Sequence, residues 1–395
     1  MTWGKHMVKI CFITYHNWET KRHGGFHQFA RFAAEQGHEV VFFSFSRPYY
    51  IRFKHEERLN KRVFKELSIG KSYLIGENFL RNVTWPTLAL PGVLRKFFPY
   101  KINEWLLTHS LTPFSSFKKK WLSDTECFVF ESCEAVLLAE KIKREFPYAR
   151  IIYRPSDPLW EFSNDFFNIK GENEMLQLAD RIITVNEESI EGYKYRFPEI
   201  FDKSKFICIP NGVNVEDYKK SYDVPVPLRD CASACYIGSF LPDWELLSVT
   251  AKALPEIKFV IITPHTLNED ARQIVDSLDN LIYIDGIPSS EVPKWITNCT
   301  VVIQPFPRKY GHLNKISLGL TAKNYKAMAA GKPIVTHAIP LNLSRYGLYT
   351  SDNTDDFIKG VRQAFDNPKP DYNLFDISTR DWNSLCGHFL KQCVE

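Results

Sequence analysis

Between Thr300 and Thr336 the chain packs a strand, a basic loop, a capped helix and a second strand into one uninterrupted run. That order is the repeating unit of a parallel sheet covered by helices, and it constrains the fold more than any other stretch. Val301-Val302-Ile303 reads as a buried strand ending at Gln304-Pro305, and the loop after it carries Arg308, Lys309, Gly311, Lys315 and Gly319. Thr321 is placed as the N-cap of a helix through Ala322, Lys323, Tyr325, Met328 and Ala329, which stops at Gly331 before the strand Lys332 to Thr336. Unpaired N–H groups at such a helix start, with Lys323 in the first turn, suit a diphosphate. Taken singly, Lys323 and Lys326 read as solvated helix residues. The strand end, basic loop and small-residue stop together carry the phosphate reading.

A chain of 395 residues exceeds what a single hydrophobic core usually serves, so two domains are expected. The net charge of +4 is too small to argue for nucleic acid, and no zinc-finger or RNP-like signature accompanies it. Nine cysteines without a C-x-x-C pair suggest neither a disulfide framework nor a zinc site, and point to a reducing compartment. No apolar run approaches the roughly 18 residues that span a bilayer.

The chain opens with a buried strand, Lys9 to Tyr15, a polar turn, and a helix from Phe26 to Gln36 ended by Gly37. A strand from Val40 to Phe45 completes a β-α-β start of the doubly wound type, in which ligands sit beyond the carboxyl ends of strands. The turn lacks G-x-G-x-x-G, so no dinucleotide fingerprint is present. His16, Thr20, Arg22, His23 and His27 gather at or just past that strand end. Ordinary surface polarity accounts for one or two of them, and the group as a whole suggests binding.

From Arg47 to Lys120 the texture changes, with 15 Lys/Arg against 5 Asp/Glu, interleaved with aromatics such as Phe64, Trp85, Phe97, Phe98 and Trp105. Cations beside exposed rings are what an anionic membrane surface attracts, at about 1 kcal/mol per basic residue. The competing reading is a solvated surface over a packed aromatic core, with nucleic acid a distant third.

Cys127 to Glu131 and Arg150 to Tyr153 read as strands, with a helix from Cys133 to Phe146 between them. The second strand runs into Arg154-Pro155-Ser156-Asp157-Pro158, so Asp157 falls just past a strand end between two prolines. An aspartate before proline is most often a turn former. A helix from Glu172 to Leu178, a strand from Arg181 to Val185 and a helix from Glu187 to Arg196 follow. Pro210-Asn211-Gly212-Val213 is the expected hinge. The second half restarts at Ala234 to Ser239 and closes with a helix over about Thr379 to Val394.

Ile209-Pro210-Asn211-Gly212-Val213, the Gly238-Ser239 turn and Ala322 to Pro333 resemble the GT-B glycosyltransferases. Phe128-Val129-Phe130-Glu131-Ser132 and Ile152-Tyr153-Arg154-Pro155-Ser156-Asp157 resemble, more narrowly, the membrane-associated β-glucuronosyltransferase family of xanthan assembly, glycosyltransferase family 70. The resemblance implies an α/β chain of two doubly wound Rossmann-like domains with a cleft between them. An acceptor-binding domain over 1–210 would be followed by a nucleotide-sugar domain over 211–378. A helix over 379–395 would cross back to the first domain.

It also implies an inverting enzyme with Asp157 as general base, and His16, Thr20, Arg22, His27 and Glu131 on the acceptor side. On the donor side it implies Gly238, Ser239, Phe240, Ile287, Phe306, Arg308, Ala322, Lys323 and Lys326. The donor would be a nucleoside diphosphate sugar, with UDP-glucuronate the best match, and the acceptor a lipid-linked oligosaccharide of exopolysaccharide or capsule assembly. Location would be cytoplasmic, on the inner face of the membrane, through the basic-aromatic stretch 47–121, with no nucleic-acid partner. No D-x-D motif is present, so Lys323 and the helix start would neutralise the diphosphate in place of a metal. Two positions depart from the family pattern. Lys326 replaces a Glu or Gln that accepts ribose hydroxyls, and Ile287 replaces an acidic residue. A different NDP-sugar donor, retaining stereochemistry, or a non-catalytic sugar-nucleotide or glycan-binding protein remain the alternatives.

Overall fold

The computed structural model describes residues 7–20, 23–45, 48–53, 70–372 and 375–395, with the side chains of 52, 53 and 310 excepted. Arg22 therefore lies outside the described residues, as do Arg47 and Phe64 of the basic-aromatic stretch. The chain divides into two compact units, 1–210 with 383–395 and 211–382.

The first unit is built on eight strands: β1 (Lys9–Thr14), β2 (Glu39–Ser44), β3 (Lys71–Ile75), β4 (Asn78–Thr84), β5 (Cys127–Glu131), β6 (Arg150–Arg154), β7 (Arg181–Thr184) and β8 (Phe206–Cys208). Their order is β3-β4-β2-β1-β5-β6-β7-β8, parallel throughout except for β3, which runs antiparallel to β4. Every residue of β5 is buried, as expected of a parallel strand covered on both faces. The β3–β4 hairpin turns at Gly76, with φ of +60°, inside the stretch that the sequence distinguished only by its charge and aromatic content. Its outer strand alternates between half-buried and exposed residues, the pattern of a sheet edge.

Several element boundaries differ from the sequence expectation. The segment after β5 is a 3-10 turn, Glu134–Leu138, followed by a helix over Ala139–Glu145, not one continuous helix. The helix expected from Glu172 begins at Phe166, because Asp165 caps the amides of Phe167 and Asn168. The final helix begins at Trp382, since Asp376 first caps a separate 3-10 turn over Ile377–Arg380. Within the first unit, Phe389 of that last helix stacks on Phe29 at 4.0 Å, and Arg150 Nη1 donates to the Gln392 carbonyl at 2.8 Å.

The second unit has six parallel strands: β9 (Ser233–Ile237), β10 (Lys258–Thr263), β11 (Leu281–Asp285), β12 (Val301–Pro305), β13 (Ile334–His337) and β14 (Tyr349–Ser351). They are ordered β11-β10-β9-β12-β13-β14. Between β12 and β13 runs the helix Ala322–Ala329, where Asn324 Oδ1 accepts from both the amide and the hydroxyl of Thr321 at 2.8 Å. Gly331 then takes a left-handed φ of +64°, the expected helix stop.

Candidate active site

In the first unit the strand order sets β1, β5 and β6 side by side, with Glu131 in register with Arg154. The carboxyl ends of the three strands therefore present Thr14, Glu131 and Arg154 at one edge. Glu131 is buried and accepts from Thr14 Oγ1 and, at 3.5 Å, from Ser156 Oγ. His16 Nε2 lies 3.8 Å from Oε1, the same oxygen that Ser156 reaches. Burial pushes the Glu131 carboxyl up to about 7, against the pull of Thr14, Arg154 and Ser156, and nearby Asp157 adds to the rise. Arg154 is itself buried, donating to the Ile209 carbonyl at 3.2 Å.

Asp157 stands on the loop just beyond β6, with its side chain open to solvent. Even so, the protein packed around it displaces water from the carboxyl and raises its pKa above the ordinary aspartate value, while the Arg154 guanidinium pulls the other way. The backbone of this loop is fixed by Ser132, whose hydroxyl accepts from the amides of Ser156 and Asp157 at 3.1 and 3.3 Å. A carboxylate with raised basicity, exposed on a rigid loop, has the properties of a general base.

The histidines divide by environment. His16 is partly exposed and faces Glu131. His27 is buried, stacked on His23 at 4.4 Å and packed near Trp18 and Phe42. Its Nε2–H donates to the Asn17 carbonyl at 3.0 Å and lies 3.4 Å from Thr20 Oγ1. Burial pushes its pKa down to about 3, so the ring is neutral and serves to hold the loop that carries Thr20.

In the second unit β9 and β12 are neighbours, so the Gly238-Ser239-Phe240 turn and Phe306 meet above the sheet. Lys323 Nζ is placed among three rings, 5.2 Å from Phe240, 5.3 Å from Tyr236 and 5.5 Å from Phe306. A Cβ at Gly238 would fall 2.6 Å from Lys323 Nζ and 2.7 Å from Tyr236 Oη, so the glycine leaves room for both. Tyr236 Oη donates to the Phe240 carbonyl at 2.9 Å, which ties the turn to the strand below it. Ala322 opens the helix that carries Lys323, and Lys326 follows one turn later with its pKa lowered by burial. Ile287 packs half-buried against the apolar core of this unit.

Arg308 and Lys309 lie together on the 3-10 turn after β12. They line a cavity of about 570 Å³ with Trp244, His337 and Thr354, and its lining includes neither Lys323 nor Phe240. Sequence reasoning gave no role to Thr14, Ser132, Ser156, Arg154 or Tyr236. All five lie within two residues of the carboxyl ends of strands that the sequence placed, and that position was the available signal.

Two doubly wound units make the α/β GT-B fold that the resemblance read from the sequence implied. Among solved structures the chain is similar to apo OtsA, with a TM-score of 0.65, 10% identity and coverage of 98% of this chain and 99% of that one. It is also similar to α,α-trehalose 6-phosphate synthase from Burkholderia multivorans, with a TM-score of 0.62, 9% identity and coverage of 98% and 97%. A putative UDP-N-acetylglucosamine 2-epimerase from Listeria monocytogenes shares the fold at a TM-score of 0.57, with 10% identity and coverage of 97% and 95%.

The particular likeness is to glucuronosyltransferase GumK, whose N-terminal domain family model matches residues 12–185. The UDP-glucuronate:glycolipid 2-beta-glucuronosyltransferase of Xanthomonas campestris pv. campestris is 22% identical over 366 residues, covering 91% of this chain and 84% of that protein.

Proposed function

We propose that this chain transfers glucuronic acid from UDP-glucuronate to a hydroxyl of a glycolipid, with inversion at the anomeric carbon. The observation that carries the reading is Asp157: a solvent-facing carboxylate of raised basicity on a loop fixed by Ser132, within the stretch that matches the GumK domain. Asp157 accepts the proton of the acceptor hydroxyl as its oxygen forms the bond to C1 and the bond from C1 to the diphosphate breaks. His16, Thr20, Arg22 and Glu131 are assigned to the acceptor side. His27 supports the loop that carries Thr20.

Lys323 and the amides at the start of its helix take the developing charge on the leaving UDP, in place of a metal. Gly238, Ser239, Phe240 and Phe306 line the donor side. Membrane attachment through the basic-aromatic stretch is supported by Val93, Leu94, Phe97, Phe98, Ile102 and Trp105, all exposed, beside Lys96 and Lys101. The acceptor is assigned as a lipid-linked oligosaccharide of exopolysaccharide or capsule assembly at the inner face of the membrane.

The test is release of UDP from UDP-glucuronate, with label appearing in a glycolipid, in buffer containing EDTA. Label in the β anomer supports the proposal. No UDP release with any glycolipid acceptor removes it. Lys326 and Ile287 favour a second reading, a different nucleotide-sugar donor on the same machinery. A panel of nucleotide sugars scored by rise in Tm separates the two, because a ligand that binds only the folded state raises stability by mass action.

A further inference from the structure

The Asp157 loop accounts for every one of its backbone donors, and it does so with two side chains from elsewhere in the fold. From 155 to 160, Pro155 and Pro158 have no N–H. The amides of Ser156 and Asp157 go to Ser132 Oγ. The amides of Leu159 and Trp160 go to Glu172, at 2.9 Å on Oε1 and 2.6 Å on Oε2. Glu172 lies in the helix Phe166–Leu178 and is fully buried. Its Oε1 also accepts from Tyr153 of β6 and Tyr193 of the helix Glu187–Arg196, both at 2.6 Å.

We propose that Glu172 is a positioning residue for the transfer reaction, holding Asp157 in register with the acceptor hydroxyl. The inference rests on the reading of Asp157 as general base. A buried carboxyl carries a heavy desolvation penalty unless it is fully hydrogen-bonded. Here four donors converge on its two oxygens and offset that penalty. Two of the donors are phenols on β6 and a neighbouring helix, so the carboxylate is anchored to rigid elements. The other two are the amides two and three residues past Asp157. With Ser132 gripping the near side and Glu172 the far side, the loop keeps one conformation. An exposed base needs this, because an error of about 1 Å in its placement costs on the order of a hundredfold in rate.

The experiment is a double-mutant cycle between Glu172→Gln and Asp157→Asn, with kcat and donor KM measured on folded protein. A glutamine keeps one acceptor oxygen and turns an NH2 group toward an amide donor, so the loop loses half its far-side grip. Positioning through Asp157 predicts that Glu172→Gln lowers kcat by about tenfold with donor KM unchanged, and that this loss vanishes in the Asp157→Asn background. An equal fold-loss in both backgrounds, or a lower Tm with unchanged kcat, makes Glu172 a purely structural knot and overturns the inference while leaving the base intact. Near-parental turnover of Asp157→Asn alone instead removes the base, and the positioning role falls with it. If Glu172→Gln does not fold, Tyr193→Phe, which leaves the carboxylate and loosens its anchor, runs through the same cycle on the same criteria.

Discussion

The two units use the same kind of parallel sheet to present opposite chemistry at its carboxyl edge. In the first unit the edge is crowded with ionisable groups: buried Glu131 and Arg154, exposed Asp157, and buried Glu172 behind them. In the second, one ammonium sits among Tyr236, Phe240 and Phe306. Parallel topology delivers strand ends to a common rim in both cases, so topology does not determine what each rim does. The difference lies in how each rim treats charge. Loss of water around Glu131, Asp157 and Glu172 raises their carboxyl pKa values. In the second unit the rings of Tyr236, Phe240 and Phe306 surround a single lysine head group instead.

The widest separation between the rims should come from Asp157→Asn, which is expected to lower turnover by at least about a hundredfold while leaving UDP affinity unchanged in calorimetry. Lys323→Ala should do the reverse in binding. Losing a charge-assisted contact to phosphate costs roughly 1.5–3 kcal/mol, or about 10–100-fold in Kd for UDP. Because Lys323 also takes the charge of the leaving UDP, its loss lowers turnover as well; an Asp157→Asn variant that weakens UDP binding is the result that ends the division of labour between the rims.

Glu131→Gln sharpens the account of the first rim. The native carboxyl titrates at about 7, so its replacement should delete an ionisation near neutral pH from the pH–rate profile. A profile unchanged in shape would mean that Glu131 does not report on turnover.

The smallest effect expected is on stability in acid. His27 stays neutral in the folded protein down to about 3, whereas its ordinary value is 6.5. Between those values the unfolded chain binds more protons, so stability that is full above pH 6.5 is lost as pH falls toward 3. Glu131 acts with the opposite sign. It stays protonated in the fold up to about 7 but ionises near 4.5 when unfolded, so its contribution is lost as pH rises through that window. His27→Gln should therefore flatten the decline of Tm below pH 6.5, and an unchanged decline would place the acid sensitivity elsewhere.

Much of this was legible in the chain itself because its signals are local. Apolar runs of strand length, glycine stops such as Gly37 and Gly331, and the Thr321 cap each depend on neighbours a few residues away, which is the range over which backbone propensity acts. That is why the sequence alone places Asp157 past a strand end and Lys323 in a first helical turn. The basic-aromatic stretch concealed its β3–β4 hairpin because an edge strand with half-exposed residues lacks the apolar run that marked the others.

Tertiary structure alone decided which strand ends stand together. Nothing in the linear order states that β1 pairs with β5 and β5 with β6, bringing Thr14, Glu131 and Arg154 abreast. Nor does it state that a glutamate in a later helix closes the far side of the Asp157 loop. Those contacts join residues separated by up to 117 positions. Their energies come from burial and from satisfied hydrogen bonds, terms that exist only once the chain has folded and water has left.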